Sequence, residues 1–175
     1  MKFIQENRKE WWKMDRTISG GGEKLRIAVI NGPNMNLLGI REPEIYGRKT
    51  YSDLCAVIRE KAGQLGVEVG LFQSNHEGRI VDLIGQAYGV YDGIVINPAA
   101  YTHTSVAIRD AIAAVGLPAA EVHISDPDQR EPFRKINFVR DVCVLTVSGH
   151  GIAGYCEALE QLVGRIREEK KESGK

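Results

Sequence analysis

Arg26-Ile27-Ala28-Val29-Ile30, breaking into Asn31-Gly32-Pro33-Asn34-Met35-Asn36, is the stretch whose reading decides the fold. Four consecutive apolar residues with no polar alternation describe a strand covered on both faces, and the Asn-Gly-Pro that follows ends it abruptly. Working outward, comparable runs occupy residues 67–72, 94–96, 119–122 and 142–147. Between them lie segments whose apolar residues recur at helical spacing. Strand then helix, repeated about five times, predicts an α/β chain with a doubly wound, five-stranded parallel sheet.

The first helix is expected to begin near residues 50–52, where a hydroxyl can cap free N–H groups. It places Leu54, Val57, Ile58 and Leu65 on one stripe and ends at Gly66. A second is expected over 77–88. A third, over 104–115, turns Ile108, Ala111, Ile112 and Val115 inward and leaves Arg109 and Asp110 facing away from the sheet. The last carries Tyr155, Leu159, Leu162, Val163 and Ile166, then dissolves from residue 167 into a charged, solvated tail. Residues 126–138 hold two prolines and are expected to be irregular, with at most one short helical turn near Phe133. The domain organisation read here is an N-terminal extension (1–24) with a Gly20-Gly21-Gly22 hinge, one catalytic α/β domain (25–167), and the tail (168–175).

Composition narrows the partner. At 175 residues and 43% hydrophobic content, one core is expected. The 23 basic and 23 acidic side chains cancel, so no global field draws the chain to nucleic acid or an anionic membrane, and a small molecule is the expected ligand. Cys55, Cys143 and Cys156 lack metal-type spacing and read as free thiols of a reducing compartment. No apolar run approaches the roughly 18 residues of a membrane span, and residues 1–24 lack the apolar centre of a signal peptide, so a cytoplasmic location is expected.

All four histidines, His76, His103, His123 and His150, follow strand ends, the edge where an open parallel sheet keeps its ligand. Imidazoles are therefore expected to gather there. The loop over residues 31–49 is long against the usual connection of about 2–6 residues and is expected to act as a lid. It carries Arg41 and Tyr46, spaced closely enough to share a pocket. A free phenol titrates near about 10, and ionising it near neutrality needs about 3 to 4 kcal/mol. A cation about 4 Å away, at an effective dielectric near 20, supplies about 4 kcal/mol, so one arginine is just sufficient.

Two further groups carry chemistry. In Asn97-Pro98-Ala99-Ala100-Tyr101-Thr102-His103-Thr104-Ser105, Asn97 and His103 can hydrogen-bond a hydroxyl or carboxylate, while Thr104 and Ser105 are placed to cap a helix. In Glu121-Val122-His123-Ile124-Ser125, strand alternation puts Glu121 and His123 on one face, so the carboxylate can fix the imidazole's tautomer and support a general acid. Arg130 and Arg134, further along, suit a substrate carboxylate.

Asn31-Gly32-Pro33-Asn34, Arg41-Glu42-Pro43 with Tyr46-Gly47, Gln73-Ser74-Asn75-His76-Glu77-Gly78, residues 97–105, and Glu121-Val122-His123 with Arg130-Glu131-Pro132-Phe133-Arg134 together resemble type II 3-dehydroquinate dehydratase. The resemblance spans residues 25–163. It implies a flavodoxin-like domain in a homododecamer built from trimers, converting 3-dehydroquinate to 3-dehydroshikimate in the shikimate route with no metal and no cofactor. It also implies roles: Tyr46 as the base at C2, Arg41 as the group that keeps it ionised, Asn34 as holder of a water or donor near the enolate oxygen, and His123 as the acid for the C1 hydroxyl with Glu121 behind it. Asn97, His103 and Arg134 become substrate ligands, the N–H groups of Ile124 and Ser125 receive the carboxylate, and Asp110 reaches a neighbouring subunit's site. Asp126-Pro127-Asp128-Gln129 departs from the family's usual pattern and sets two extra carboxylates beside an anion site, and His150 interrupts a Gly-Leu-Gly-like stretch. The alternatives on this fold are a flavin or nucleotide module, a metal hydrolase, and a non-catalytic or ligand-binding module. Against them stand the missing Gly-x-Gly-x-x-Gly, the missing short His spacings, and Asn31-Gly32 where a receiver would hold an acidic pair.

Overall fold

The computed structural model describes residues 24–40 and 48–173. Within them, β1 (Arg26–Asn31), β2 (Glu68–Gln73), β3 (Gly93–Asn97), β4 (Ala119–His123) and β5 (Leu145–Ser148) form one all-parallel sheet in the order β2-β1-β3-β4-β5. This is the doubly wound, flavodoxin-like order, whose ligand crevice opens at the carboxyl ends of β1 and β3, where the winding reverses. Helices α1 (Tyr51–Leu65) and α4 (Ala153–Ser173) cover one face, and α2 (Glu77–Ala87) and α3 (Val106–Val115) cover the other.

Alternation along the central strands feeds two cores. Ile27, Val29, Val95, Ala120 and Val122 join α1 and α4; Ala28, Ile30, Ile94, Ile96 and Ala119 join α2 and α3. The isoleucines Ile27, Ile30, Ile94 and Ile96 are fully buried, each removing enough apolar surface to stabilise the fold by about 1.5–3 kcal/mol. Edge strand β2 differs, remaining half-buried along most of its length.

Helix ends follow the sequence closely. Thr50 and Asp53 cap α1 reciprocally, the Thr50 Oγ1 accepting from the Asp53 N–H and the Asp53 carboxylate from the Thr50 N–H, and left-handed Gly66 closes the helix. Ser105 alone caps α3, accepting from the Ile108 N–H.

Three expectations are corrected. The last helix runs through Ser173 rather than dissolving at residue 167. Its charged end is docked: Arg167 donates to the Leu65 carbonyl (2.7 Å), Lys170 reaches Asp92 (2.7 Å), and Arg165 pairs with Glu169 one turn on. The fifth strand begins at Leu145, because Arg140–Val142 is a 3-10 turn. Residues 126–138 contain two such turns, Pro127–Gln129 and Pro132–Lys135, each started by its proline.

Gly32 shows why the first loop begins as it does. A Cβ there would lie 2.5 Å from the Pro98 carbonyl oxygen, and the Gly32 N–H already donates to the Asn97 carbonyl at 2.7 Å. The loops after β1 and β3 meet backbone to backbone. Gly32→Ala is expected to wedge them apart at a cost of about 1–3 kcal/mol. At roughly 2–4 °C per kcal/mol, calorimetry should show a lowered Tm; an unchanged Tm would mean that the contact is soft.

Candidate active site

A row of polar residues closes the sheet. Gln73, Asn31 and Asn97 stand at the same register level on β2, β1 and β3, and His123 and Ser148 end β4 and β5. The row continues into a pocket whose walls come from three loops: Pro33, Asn34, Met35 and Leu38 after β1; Ala99, Ala100 and His103 after β3; and Ile124, Ser125, Pro127, Arg130 and Arg134 after β4. Asn97 and His123 form its floor.

The floor is braced from below. Tyr155 of α4, fully buried, donates to Asn31 Oδ1 at 2.6 Å and accepts from Asn97 Nδ2 at 2.8 Å. Burial raises its pKa, so it stays a phenol and serves as a strut. Asn97 Oδ1 in turn accepts from the Ala99 N–H at 3.0 Å and holds Ala99 in the left-handed region, φ 52°. Asn34, φ 66°, is also left-handed, its N–H donated to Asn75 Oδ1 at 3.0 Å. Two non-glycine residues in that region on facing walls are the kind of strain that surrounding structure sustains at functional sites.

Behind the pocket, Glu121 is fully buried yet well satisfied. Its Oε1 accepts from His123 Nε2 (2.8 Å), Thr102 Oγ1 (2.6 Å) and Asn137 Nδ2 (3.1 Å), and its Oε2 from Asn137 Nδ2 (3.0 Å). Burial alone would raise this carboxyl's pKa, but the bonds from His123, Thr102 and Asn137 outweigh it and hold the group below the ordinary glutamate range. An ionised carboxylate on Nε2 fixes that nitrogen as the N–H and leaves Nδ1 of His123 to serve the pocket. The nearby Cys143 thiol, pushed up to about 12 by burial and by the Glu121 charge, stays protonated.

His103 is tuned oppositely. Burial lowers its pKa, so the ring is neutral; its Nδ1–H donates to the Ile136 carbonyl at 2.6 Å. Its Nε2 is then an acceptor, suited to a substrate hydroxyl.

On the third wall, Glu131 orders two guanidiniums, with Arg134 Nε at 2.6 Å and Arg130 Nε at 3.5 Å. Two positive charges against one carboxylate leave this wall net positive. The extra acids Asp126 and Asp128 do not line it: Asp126 accepts from the Asp128 N–H and caps the 3-10 turn at Pro127, while Asp128 pairs with Arg140 at 3.6 Å.

These walls follow the order of a known family: the matching family model, described as dehydroquinase class II, covers residues 25–163. The chain belongs to the class II dehydroquinases. Among solved dehydroquinases, the type II enzyme of Butyrivibrio crossotus superimposes with a TM-score of 0.79 at 50% identity, over 81% of this chain and 99% of that one. The 3-dehydroquinate dehydratase of Geotalea daltonii is 49% identical, over 82% of this chain and 99% of its own. A catabolic 3-dehydroquinase of Verticillium alfalfae is 52% identical, over 77% and 90%.

Set against the sequence reading of this dehydroquinase, the pocket brings together Asn34, Asn97, His103, His123, Ile124, Ser125 and Arg134, with Glu121 directly behind. Asp110 lies elsewhere, exposed and bonded to Arg109 at 2.8 Å. Arg41 and Tyr46, and the lid expected of their loop, fall at residues 41–47, outside those described. The gathering of four imidazoles is corrected to two: His76 begins α2 and His150 pairs with Glu157 at 2.6 Å, both exposed. Sequence reasoning missed Asn31, Gln73, Tyr155, Thr102 and Asn137. For Asn31 and Gln73 a signal existed, a polar residue closing each apolar run.

Proposed function

We propose that the protein is a 3-dehydroquinate dehydratase that eliminates water from 3-dehydroquinate to give 3-dehydroshikimate. The observation that carries this is the buried Glu121–His123 pair, 2.8 Å apart, opening onto a pocket that Arg130 and Arg134 also line. The substrate is an anion with a ketone and several hydroxyls, and the pocket has a complement for each. Its carboxylate goes to the N–H groups of Ile124 and Ser125 beside the positive wall, and ring hydroxyls go to His103, Asn97 and Arg134.

The reaction proceeds through an enolate. Tyr46, ionised beside Arg41, takes a proton from C2, and the electron pair moves onto the ketone oxygen, steadied by a water or donor that Asn34 holds. The enolate then collapses to form the C1–C2 double bond, and the C1–O bond breaks as His123, carrying a proton on each ring nitrogen at this step, gives the Nδ1 proton to the departing hydroxyl, releasing water and keeping the Nε2–H on Glu121. Proton in and proton out balance, with no net oxidation. Tyr51 is not an alternative base, since burial pushes its pKa up to about 12, and Tyr155 is raised as well.

The enzyme is further proposed to work in the cytoplasm as a homododecamer built from trimers. Exposed Phe133, Ile136 and Val106 supply apolar surface for assembly, and Asp110 is exposed where a neighbouring subunit's site can use it. Among the described residues no helix is long and apolar enough to cross a membrane. Relatives of similar identity are named 3-dehydroquinate dehydratase and catabolic 3-dehydroquinase. Mixing purified protein with 3-dehydroquinate should produce the ultraviolet absorbance of the conjugated product; no absorbance change at high enzyme concentration would refute the assignment.

A further inference from the structure

Residues 136–140 bond one pocket imidazole, His103, directly and reach the other, His123, through Glu121, without lining the pocket. The Ile136 carbonyl fixes His103 Nδ1 at 2.6 Å, the Phe138 N–H donates to the Thr102 carbonyl at 2.9 Å, and Asn137 sits between the two histidines' supports. The Asn137 amide is fixed by its partners: Oδ1 accepts from the N–H groups of Val139 and Arg140, both at 2.8 Å, so Nδ2 must face Glu121. There it lies 3.1 Å from one carboxylate oxygen and 3.0 Å from the other.

That geometry does something the other donors do not. Thr102 and His123 bond Oε1 only, and Thr146 reaches Oε2 at a long 3.5 Å. Asn137 alone among the described residues spans both oxygens at close range, so it sets the rotation of the carboxylate plane and thus the direction in which Oε1 meets the His123 ring. We propose that Asn137 is a positioning residue of the acid step, clamping Glu121 so that His123 is held in one tautomer with Nδ1 toward the substrate. This rests on the reading of His123 as the acid.

The test is a double-mutant cycle with a spectroscopic partner. Asn137→Ala should lower kcat by about 10–100-fold, the range for losing a hydrogen bond to a charged group, with KM within about two-fold. In a Glu121→Gln background the same change should add little, since the group it acts through is gone. Asn137→Asp keeps the oxygen that caps the turn and sets its second oxygen about 3 Å from the buried Glu121 carboxylate, where it holds a proton and can donate to one oxygen only, so it should fold and keep an intermediate kcat. Independently of turnover, the ring 15N signals of His123 in the ligand-free protein should show a pure Nε2–H tautomer in the wild type and a mixture in Asn137→Ala. Wild-type kcat in Asn137→Ala, equal losses in both backgrounds, or an unchanged 15N pattern would overturn the proposal. An inactive wild type with the predicted 15N change would instead refute the activity while leaving the clamp intact.

Discussion

Tyr46→Phe is expected to lower kcat by about 10³-fold or more while KM moves less than about three-fold. The substitution removes one oxygen and leaves the ring, so the substrate affinity proposed for Asn97, His103, Ile124, Ser125 and Arg134 is spared. What disappears is the group proposed to take the C2 proton, and positioned acid–base groups contribute on the order of 10² to 10⁴. The size follows from the electrostatics of residues 41–46: a phenol must be ionised near neutrality, and only a close guanidinium makes that affordable. Arg41→Ala should therefore lose nearly as much, with the remaining rate rising as pH approaches the phenol's ordinary range. Steady-state turnover and equilibrium binding of the substrate, measured on the same preparations, separate the two quantities. A Tyr46→Phe enzyme within ten-fold of wild type would remove Tyr46 from the reaction.

Glu121→Gln carries the second large effect, on stability as well as rate. The side chain keeps its size, but in either orientation its amide nitrogen now faces Asn137 Nδ2, a donor that lies 3.1 Å from one Glu121 oxygen and 3.0 Å from the other. A buried donor left unpaired costs about 1–3 kcal/mol. kcat should fall about 100-fold, because a neutral neighbour no longer fixes the Nε2–H tautomer of His123. The pH dependence has a definite sign. The Glu121 carboxyl titrates lower in the fold than in the unfolded chain, because His123, Thr102 and Asn137 overcome the burial that opposes its charge. Its contribution is thus fully present above the ordinary glutamate range and is lost as pH falls through the lower, folded value. Denaturant titrations below neutrality should show wild-type stability dropping in that acid window and the drop flattening in Glu121→Gln. Parallel acid limbs for the two proteins would contradict the assignment of Glu121 as ionised.

Much of this was legible in the residues because it is local. Unbroken apolar runs gave five strands, and a capping hydroxyl near residues 50–52 with a glycine at 66 gave α1 its two ends. Alternation within Ala119–His123 put Glu121 and His123 on one face, which the 2.8 Å bond bears out. What escaped depends on contacts between distant residues. Lys170 stays helical because Asp92 is waiting for it, 78 positions away, and Tyr155 reaches Asn31 across 124. Val142 and Cys143 looked like strand because they are apolar, but Val142 ends a 3-10 turn and both pack against the core on the α2–α3 face before β5 begins. His76 and His150 follow strand ends as His103 and His123 do, yet α2 and the Glu157 carboxylate take them away from the pocket. Asn137 gave no signal at all, since an asparagine in an irregular stretch acquires meaning only from the carboxylate it faces.

The most direct test of the account is a crystal structure of the protein with a ring analogue of the enolate bound. The account predicts the analogue's carboxylate on the N–H groups of Ile124 and Ser125, the position of its C1 oxygen within hydrogen-bond reach of His123 Nδ1, and the Tyr46 oxygen beside C2 with the Arg41 guanidinium next to it. A ligand seated elsewhere, or a Tyr46 oxygen turned to solvent away from any cation in that complex, would contradict it.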